Sequence, residues 1–101
     1  MLARMAFQIV LALGAAEDLR GLEATLRAAV RDAIETHLRH EPTKISRSRI
    51  KRLRGLRGPQ YRLRIGEVRV FYDVSKSTVE VLAIVAKSGA ESWLAQFGDP
   101  E

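Results

Sequence analysis

The twelve residues from Tyr61 to Tyr72 constrain this chain more than any other stretch, because read as strand, turn and strand they give a hairpin with one apolar and one cationic face. Gly66-Glu67 suits a two-residue turn, since glycine supplies the positive φ that the first turn position demands. Ile65 then pairs with Val68, Arg64 with Arg69, Leu63 with Val70, Arg62 with Phe71 and Tyr61 with Tyr72. Strand alternation sends Tyr61, Leu63, Ile65, Val68, Val70 and Tyr72 to one side, and Arg62, Arg64, Arg69 and Phe71 to the other. Like charges directly opposite in a sheet cost up to about 1 kcal/mol per pair, and Arg64 against Arg69 is such a pair. A fold that keeps this pairing has a use for an anion there.

The charge pattern around the hairpin sharpens this. Between Lys44 and Arg69 lie ten of the 17 Lys and Arg residues (Lys44, Arg47, Arg49, Lys51, Arg52, Arg54, Arg57, Arg62, Arg64 and Arg69) and a single acid, Glu67. A net charge of +5 favours polyanionic partners without choosing among them. With 101 residues and 47% hydrophobic content the chain is expected to be one domain, residues 1–101, that folds without staples. The absence of cysteine excludes disulfides and thiolate metal sites, and two histidines do not make a zinc set, so no metal or cofactor is expected. The apolar run from Met5 to Leu13 is too short to span a membrane and lacks a cleavage pattern, which predicts a soluble, untargeted protein. Met5 is as good a start as Met1, with Met1 to Arg4 then a disordered extension.

Ahead of the hairpin, Phe7, Ile9 and Leu11 alternate with Ala6, Gln8 and Val10, in a composition that suits a strand buried on both faces. Gly14 is expected to end it. Ala15 to His40 carry apolar residues at helical spacing, from Leu19 through Val30 and Ile34 to Leu38, either as one long helix or as two broken at Gly21. Glu41-Pro42 ends the run. Arg49 to Leu53 reads as a short strand and Gly55 to Pro59 as a glycine-punctuated loop. After a turn over Asp73 to Thr78, Val79 to Ala86 forms the last strand, with Val79, Val81 and Ala83 on the apolar face and Glu80, Leu82 and Ile84 on the arginine face. Ser88 is the expected cap of a short helix from Ala90 to Phe97. The sum is an α+β fold: an N-terminal strand, one long helix or a helical hairpin, a twisted antiparallel sheet of three to four strands with the helical layer on one face, and a short C-terminal helix.

This order of elements, with Leu-Arg-Gly-Leu at 53–56, Tyr-Arg-Leu-Arg-Ile-Gly at 61–66 and Arg-Val-Phe-Tyr-Asp-Val at 69–74, resembles the RelE/ParE superfamily of type II toxins, in its RelE-like branch. The resemblance covers nearly the whole chain. It implies a cytoplasmic toxin held inactive by a cognate antitoxin protein, acting as a ribosome-dependent mRNA endoribonuclease that inhibits translation. That chemistry is metal-independent attack of a ribose 2′-hydroxyl on the adjacent phosphate, and its partners are the ribosome and mRNA, with no membrane and no small-molecule cofactor. Two alternatives go with it: a non-catalytic ParE-like inhibitor of DNA gyrase, and a catalytically decayed toxin that only binds its antitoxin.

By position, the resemblance implies Arg62, Arg64 and Arg69 as the catalytic set, with Lys87 assisting after the last strand. Guanidinium groups grip phosphate bidentately and stay charged, and they suit charge developing on a phosphorane-like transition state. RelE enzymes usually carry lysines at the first two of these positions and a tyrosine or histidine near the C-terminus. The arginines here and the run Lys87 to Leu94 depart from that pattern and leave the general base unassigned. Lys51, Arg52, Arg54 and Arg57 read as RNA-backbone contacts or as docking points for an acidic antitoxin. Phe71 and Trp93 are candidates for stacking on bases, with core or antitoxin-groove packing the other reading of Trp93. Glu80 is expected to sit diagonal to Arg69 and pair with it rather than act as a base. His37 and His40 read as one half-buried and one exposed helix histidine.

Overall fold

The computed structural model describes residues 5–101; the expectation for Met1 to Arg4 lies outside them. The chain runs β1 (Gln8–Leu11), α1 (Leu13–Gly21), α2 (Ala24–Leu38), β2 (Ile50–Arg52), β3 (Leu56–Gly58), β4 (Tyr61–Ile65), β5 (Val68–Val74), β6 (Thr78–Ala86), a 3₁₀ turn (Lys87–Gly89), α3 (Ala90–Phe97) and β7 (Asp99–Pro100). Five strands form one sheet in the order β1-β6-β5-β4-β2. Strands β2, β4, β5 and β6 are antiparallel, and β1 joins β6 in parallel at the edge.

The hairpin has the register that alternation predicts: Ile65 opposite Val68, Arg64 opposite Arg69, Leu63 opposite Val70, Arg62 opposite Phe71, Tyr61 opposite Tyr72. Gly66 sits at φ 55°, the left-handed conformation that makes glycine the natural residue there. Its apolar side builds the core, where Leu63, Val70, Tyr72, Val79, Val81 and Ile84 meet Val30, Ile34 and Leu38 from α2 and Ala15 and Leu19 from α1. The Tyr72 hydroxyl finds a buried acceptor, donating to the Pro42 carbonyl at 2.7 Å, and burial pushes its pKa up.

Four expectations are corrected, and one left open is decided. Strand β1 is exposed on one face, that of Gln8 and Val10, and only Ile9 and Leu11 turn to the core cluster. Gly14 lies inside α1. The helical hairpin is the form adopted, and its break falls at Leu22 and Glu23, both extended; Glu23 caps α2 by accepting from the Leu26 amide at 2.6 Å. Leu56–Gly58 is not loop but a strand, pairing with Asp99–Pro100 in a separate two-stranded sheet. Ser88 lies within the 3₁₀ turn, and α3 starts after Gly89 without a side-chain cap.

A register shift moves more than these. Phe71 pairs with Ala83 and Tyr72 with Val81, so Leu82 is an extra residue on β6. Past this bulge the faces exchange: Ile84 enters the core opposite Val70, and Ala83 passes to the arginine face. Strand β1 has already ended opposite Val81, and Asp18 of α1 accepts from the Ile84 amide at 2.9 Å in place of a neighbouring strand. Helices also cover both faces of the sheet. The α1–α2 layer packs on the apolar side, while α3 lies on the arginine side, with the Trp93 ring stacked on Phe71 at 5.1 Å and 7°.

Candidate functional site

Strand pairing aligns Lys51, Arg62, Phe71 and Ala83 in one row across the arginine face, and Arg64, Arg69 and Val85 in the next. The 3₁₀ turn brings Lys87 to the end of these rows, where its amide donates to the Glu67 carbonyl at 2.7 Å beside the β4–β5 turn. Between this end of the sheet and the start of α3 lies a groove of about 390 Å³, whose lining includes Lys51, Arg62, Arg69, Phe71, Lys87 and Glu91.

Arg62 is the centre of the groove's electrostatics. Its Nε is buried and has no hydrogen-bond partner, the only such side-chain atom among the described residues. Burial lowers its pKa, and the charges of Arg69 and Arg64 lower it further. A guanidinium stays protonated under such pressure, so the side chain holds a charge with an unmade bond. Among the described residues neither Arg62, Arg64, Arg69 nor Lys87 forms an ion pair with a carboxylate. A desolvated guanidinium beside like charges favours an anion over a neutral ligand.

Arg69 is built differently. It is the one buried charged residue among those described, 6% exposed, and its Nη1 donates to the Gly66 carbonyl at 2.7 Å and the Val68 carbonyl at 3.1 Å. It therefore clamps the hairpin turn as well as lining the groove. Arg64 is exposed beside the groove, where its charge bears on Arg62.

The remaining candidates divide by face. Lys51 belongs to the groove. Arg52 does not: β2 alternation turns it to the opposite side, where its guanidinium lies 5.1 Å from the Tyr61 ring centroid and Nη1 donates to the Gln60 carbonyl at 3.0 Å. Arg54 is exposed in the bend before β3, and Arg57 borders a separate depression with Asp73, Phe97 and Asp99. Phe71 is corrected as a base-stacking residue, because it is 1% exposed and its ring is covered by Trp93. Trp93 is half-buried, with Phe71 on one side and Phe97 tilted against it at 5.4 Å, so packing accounts for it. Glu80 is also corrected: it lies opposite Asp73, while Arg69 lies opposite Val85, so the two are far apart along the sheet. His37 is half-buried on α2, and His40 is exposed just beyond the helix end.

Glu91 is the functional candidate that the sequence reading missed. It stands in the first turn of α3, where a carboxylate favours the helix dipole, and that position was open to reading as capping alone. Nothing in the local sequence shows that α3 folds back across the arginine face.

No family model matches this chain, and no curated protein sequence matches it. Solved structures do. A chain of the toxin–antitoxin complex RelBE2 from Mycobacterium tuberculosis superposes with a TM-score of 0.67 at 23% identity, over 83% of this chain and 94% of that one. The RelB–RelE antitoxin–toxin complex from Methanococcus jannaschii gives 0.62 at 19% identity, over 83% and 96%. The archaeal RelE–RelB complex from Pyrococcus horikoshii gives 0.61 at 21%, over 82% and 97%. The chain has the RelE-like toxin fold.

Proposed function

We propose that this protein is the toxin of a toxin–antitoxin pair and that it cleaves ribosome-bound mRNA in the groove around Arg62. The observation that carries the reading is the buried Nε of Arg62, which has no protein partner, in a groove it shares with Arg69 and Lys87 and beside the charge of Arg64. A phosphodiester of the message supplies that partner. In this reading Arg62 and Arg69 hold the non-bridging oxygens, Arg64 and Lys51 steady the backbone on either side, and the developing charge is stabilised by groups already in place. The ribose 2′-hydroxyl attacks phosphorus, its proton passes to the Glu91 carboxylate, and the bond to the 5′-oxygen breaks. The Lys87 ammonium supplies the proton that the departing oxygen takes. The products are a 2′,3′-cyclic phosphate and a 5′-hydroxyl, and no metal enters the scheme. The antitoxin assignment is supported by two of the structures named above, which are toxin–antitoxin complexes, and by the third, a RelE–RelB complex.

Mapping of 5′ ends after incubation with programmed ribosomes tests this directly. Wild-type protein is expected to leave 5′-hydroxyl ends, with Arg62→Ala and Glu91→Gln each reducing the rate by 10²-fold or about that. Unchanged cutting by Arg62→Ala would overturn the site. Intact message together with inhibited DNA supercoiling would overturn the reaction in favour of the gyrase-directed reading.

A further inference from the structure

A second cationic groove lies outside the Arg62 site. It opens at the C-terminal end of α2, has a volume of about 420 Å³, and its lining includes His37, His40, Lys44, Ser46 and Arg49 together with one carboxylate, Glu41. The segment that forms its rim closes on itself through Ser46. The Ser46 hydroxyl accepts from the Arg49 and Ile50 amides, both at 3.0 Å, and the Ser46 amide donates to the Ile50 carbonyl at 3.0 Å. This hydroxyl-closed turn presents Arg47, Ser48 and Arg49 on the outside. Lys44 is 3.6 Å from Glu41, but Arg47 and Arg49 have no carboxylate partner among the described residues.

The turn is also tied to the first groove. The Arg49 carbonyl accepts from the Arg64 amide at 2.9 Å, so Arg49 continues the row that holds Arg64 and Arg69, and two residues on Lys51 stands opposite Arg62. A band of cations thus runs from Arg47 over Arg49 and the exposed flank of β2 to Lys51 and Arg62. Strand β2 is the edge of the sheet, so no further strand lies between the two grooves on that side.

We propose that the Ser46-closed turn is a second phosphate-binding subsite, and that a single strand of RNA crosses the β2 edge from this groove into the Arg62 groove. This rests on the reading of the Arg62 groove as an RNA site. A single strand fits the band better than a duplex, because the path bends around a sheet edge and its two ends face different grooves. A backbone of phosphates spaced along a flexible chain can follow such a bend, and arginines without acids to pair with are what it meets.

The test is equilibrium binding of single-stranded RNA oligonucleotides of increasing length to the whole protein, repeated over a salt series. With wild-type protein, affinity should rise once an oligonucleotide is long enough to leave the Arg62 groove. Arg47→Ala/Arg49→Ala should remove that rise, on the order of tenfold, and lower the salt slope by about 1.4, from two single-strand phosphate contacts. The same variant should bind the shortest oligonucleotides as wild type does. Arg62→Ala, in contrast, should weaken short and long oligonucleotides alike. If long RNA binds the double variant with unchanged affinity and slope, the subsite is overturned while the Arg62 reading stands. If both variants weaken binding as described but no RNA is cut, the cleavage reading fails and the subsite stands. Tighter binding of duplex DNA than of single-stranded RNA through Arg47 and Arg49 would overturn the RNA assignment. Circular dichroism of the double variant checks that it folds; both positions are exposed.

Discussion

Arg69 donates from Nη1 to the Gly66 carbonyl at 2.7 Å, so one guanidinium both closes the hairpin turn and borders the cationic groove. Arg69→Ala is expected to destabilise the fold by about 1–2 kcal/mol, because the Gly66 carbonyl loses a part-buried hydrogen bond and the Val68 carbonyl a buried one. Chemical denaturation measures this. A variant as stable as the parent would show that the clamp contributes nothing, and only then would activity loss in Arg69→Ala report on chemistry alone.

Arg62→Met should behave in the opposite way. The substitution removes an unpartnered buried Nε and a charge that its neighbours repel, at nearly constant volume. Stability is expected to stay equal to the parent's or to rise by about 1 kcal/mol, whereas RNA cleavage is lost. A marked loss of stability would mean that Arg62 serves the fold.

Anion binding follows from the same feature. Inorganic phosphate or pyrophosphate at about one hundred times its dissociation constant should stabilise the wild-type protein by about 2.7 kcal/mol. For a domain of this size, that is a rise of roughly 10–20 °C in melting temperature. Arg62→Met should show little of the effect, which separates site binding from general salting-out. Equal shifts in the two proteins would argue against an anion site at Arg62.

His37 gives a pH dependence. Burial, with a smaller contribution from the Arg49 charge, holds its pKa below the ordinary 6.5. The unfolded chain takes up this proton at higher pH than the folded one, so the histidine's contribution is fully present above 6.5 and is lost as pH falls below it. His37→Gln should flatten the stability profile as pH falls below the ordinary 6.5. Parallel profiles for the two proteins would assign the dependence to other groups.

The hairpin was legible in the sequence because strand alternation and a single glycine fix every partner from Tyr61 to Tyr72. The next pairing was not, because a bulge leaves no mark in composition. Leu82 looks like any strand residue, and skipping it exchanges Ala83 with Ile84, whereas Glu80 lies before the bulge and is kept from Arg69 by where the β5–β6 turn falls, at Lys76-Ser77. The cationic face could be read as a face, but not as a groove. Its second wall is α3, placed by Trp93 on Phe71 and by the pairing of Asp99–Pro100 with Leu56–Gly58, contacts between segments tens of residues apart. Glu91 was missed for that reason, and Arg52 was misassigned because it was grouped with its neighbour Lys51, whereas strand alternation sends the two to opposite faces.

The parallel pairing of β1 with β6 sets the order in which this chain can fold. Ile9 meets Val79, seventy positions on, and β6 lies between β1 and the rest of the sheet. During synthesis the first strand therefore has no partner until the last long strand has emerged, and its closure is a late, high-contact-order step. Lys87 and Glu91 follow β6 directly, so the groove is completed by the same stretch that completes the sheet. A nascent chain carries the arginine hairpin early, but not the assembled site.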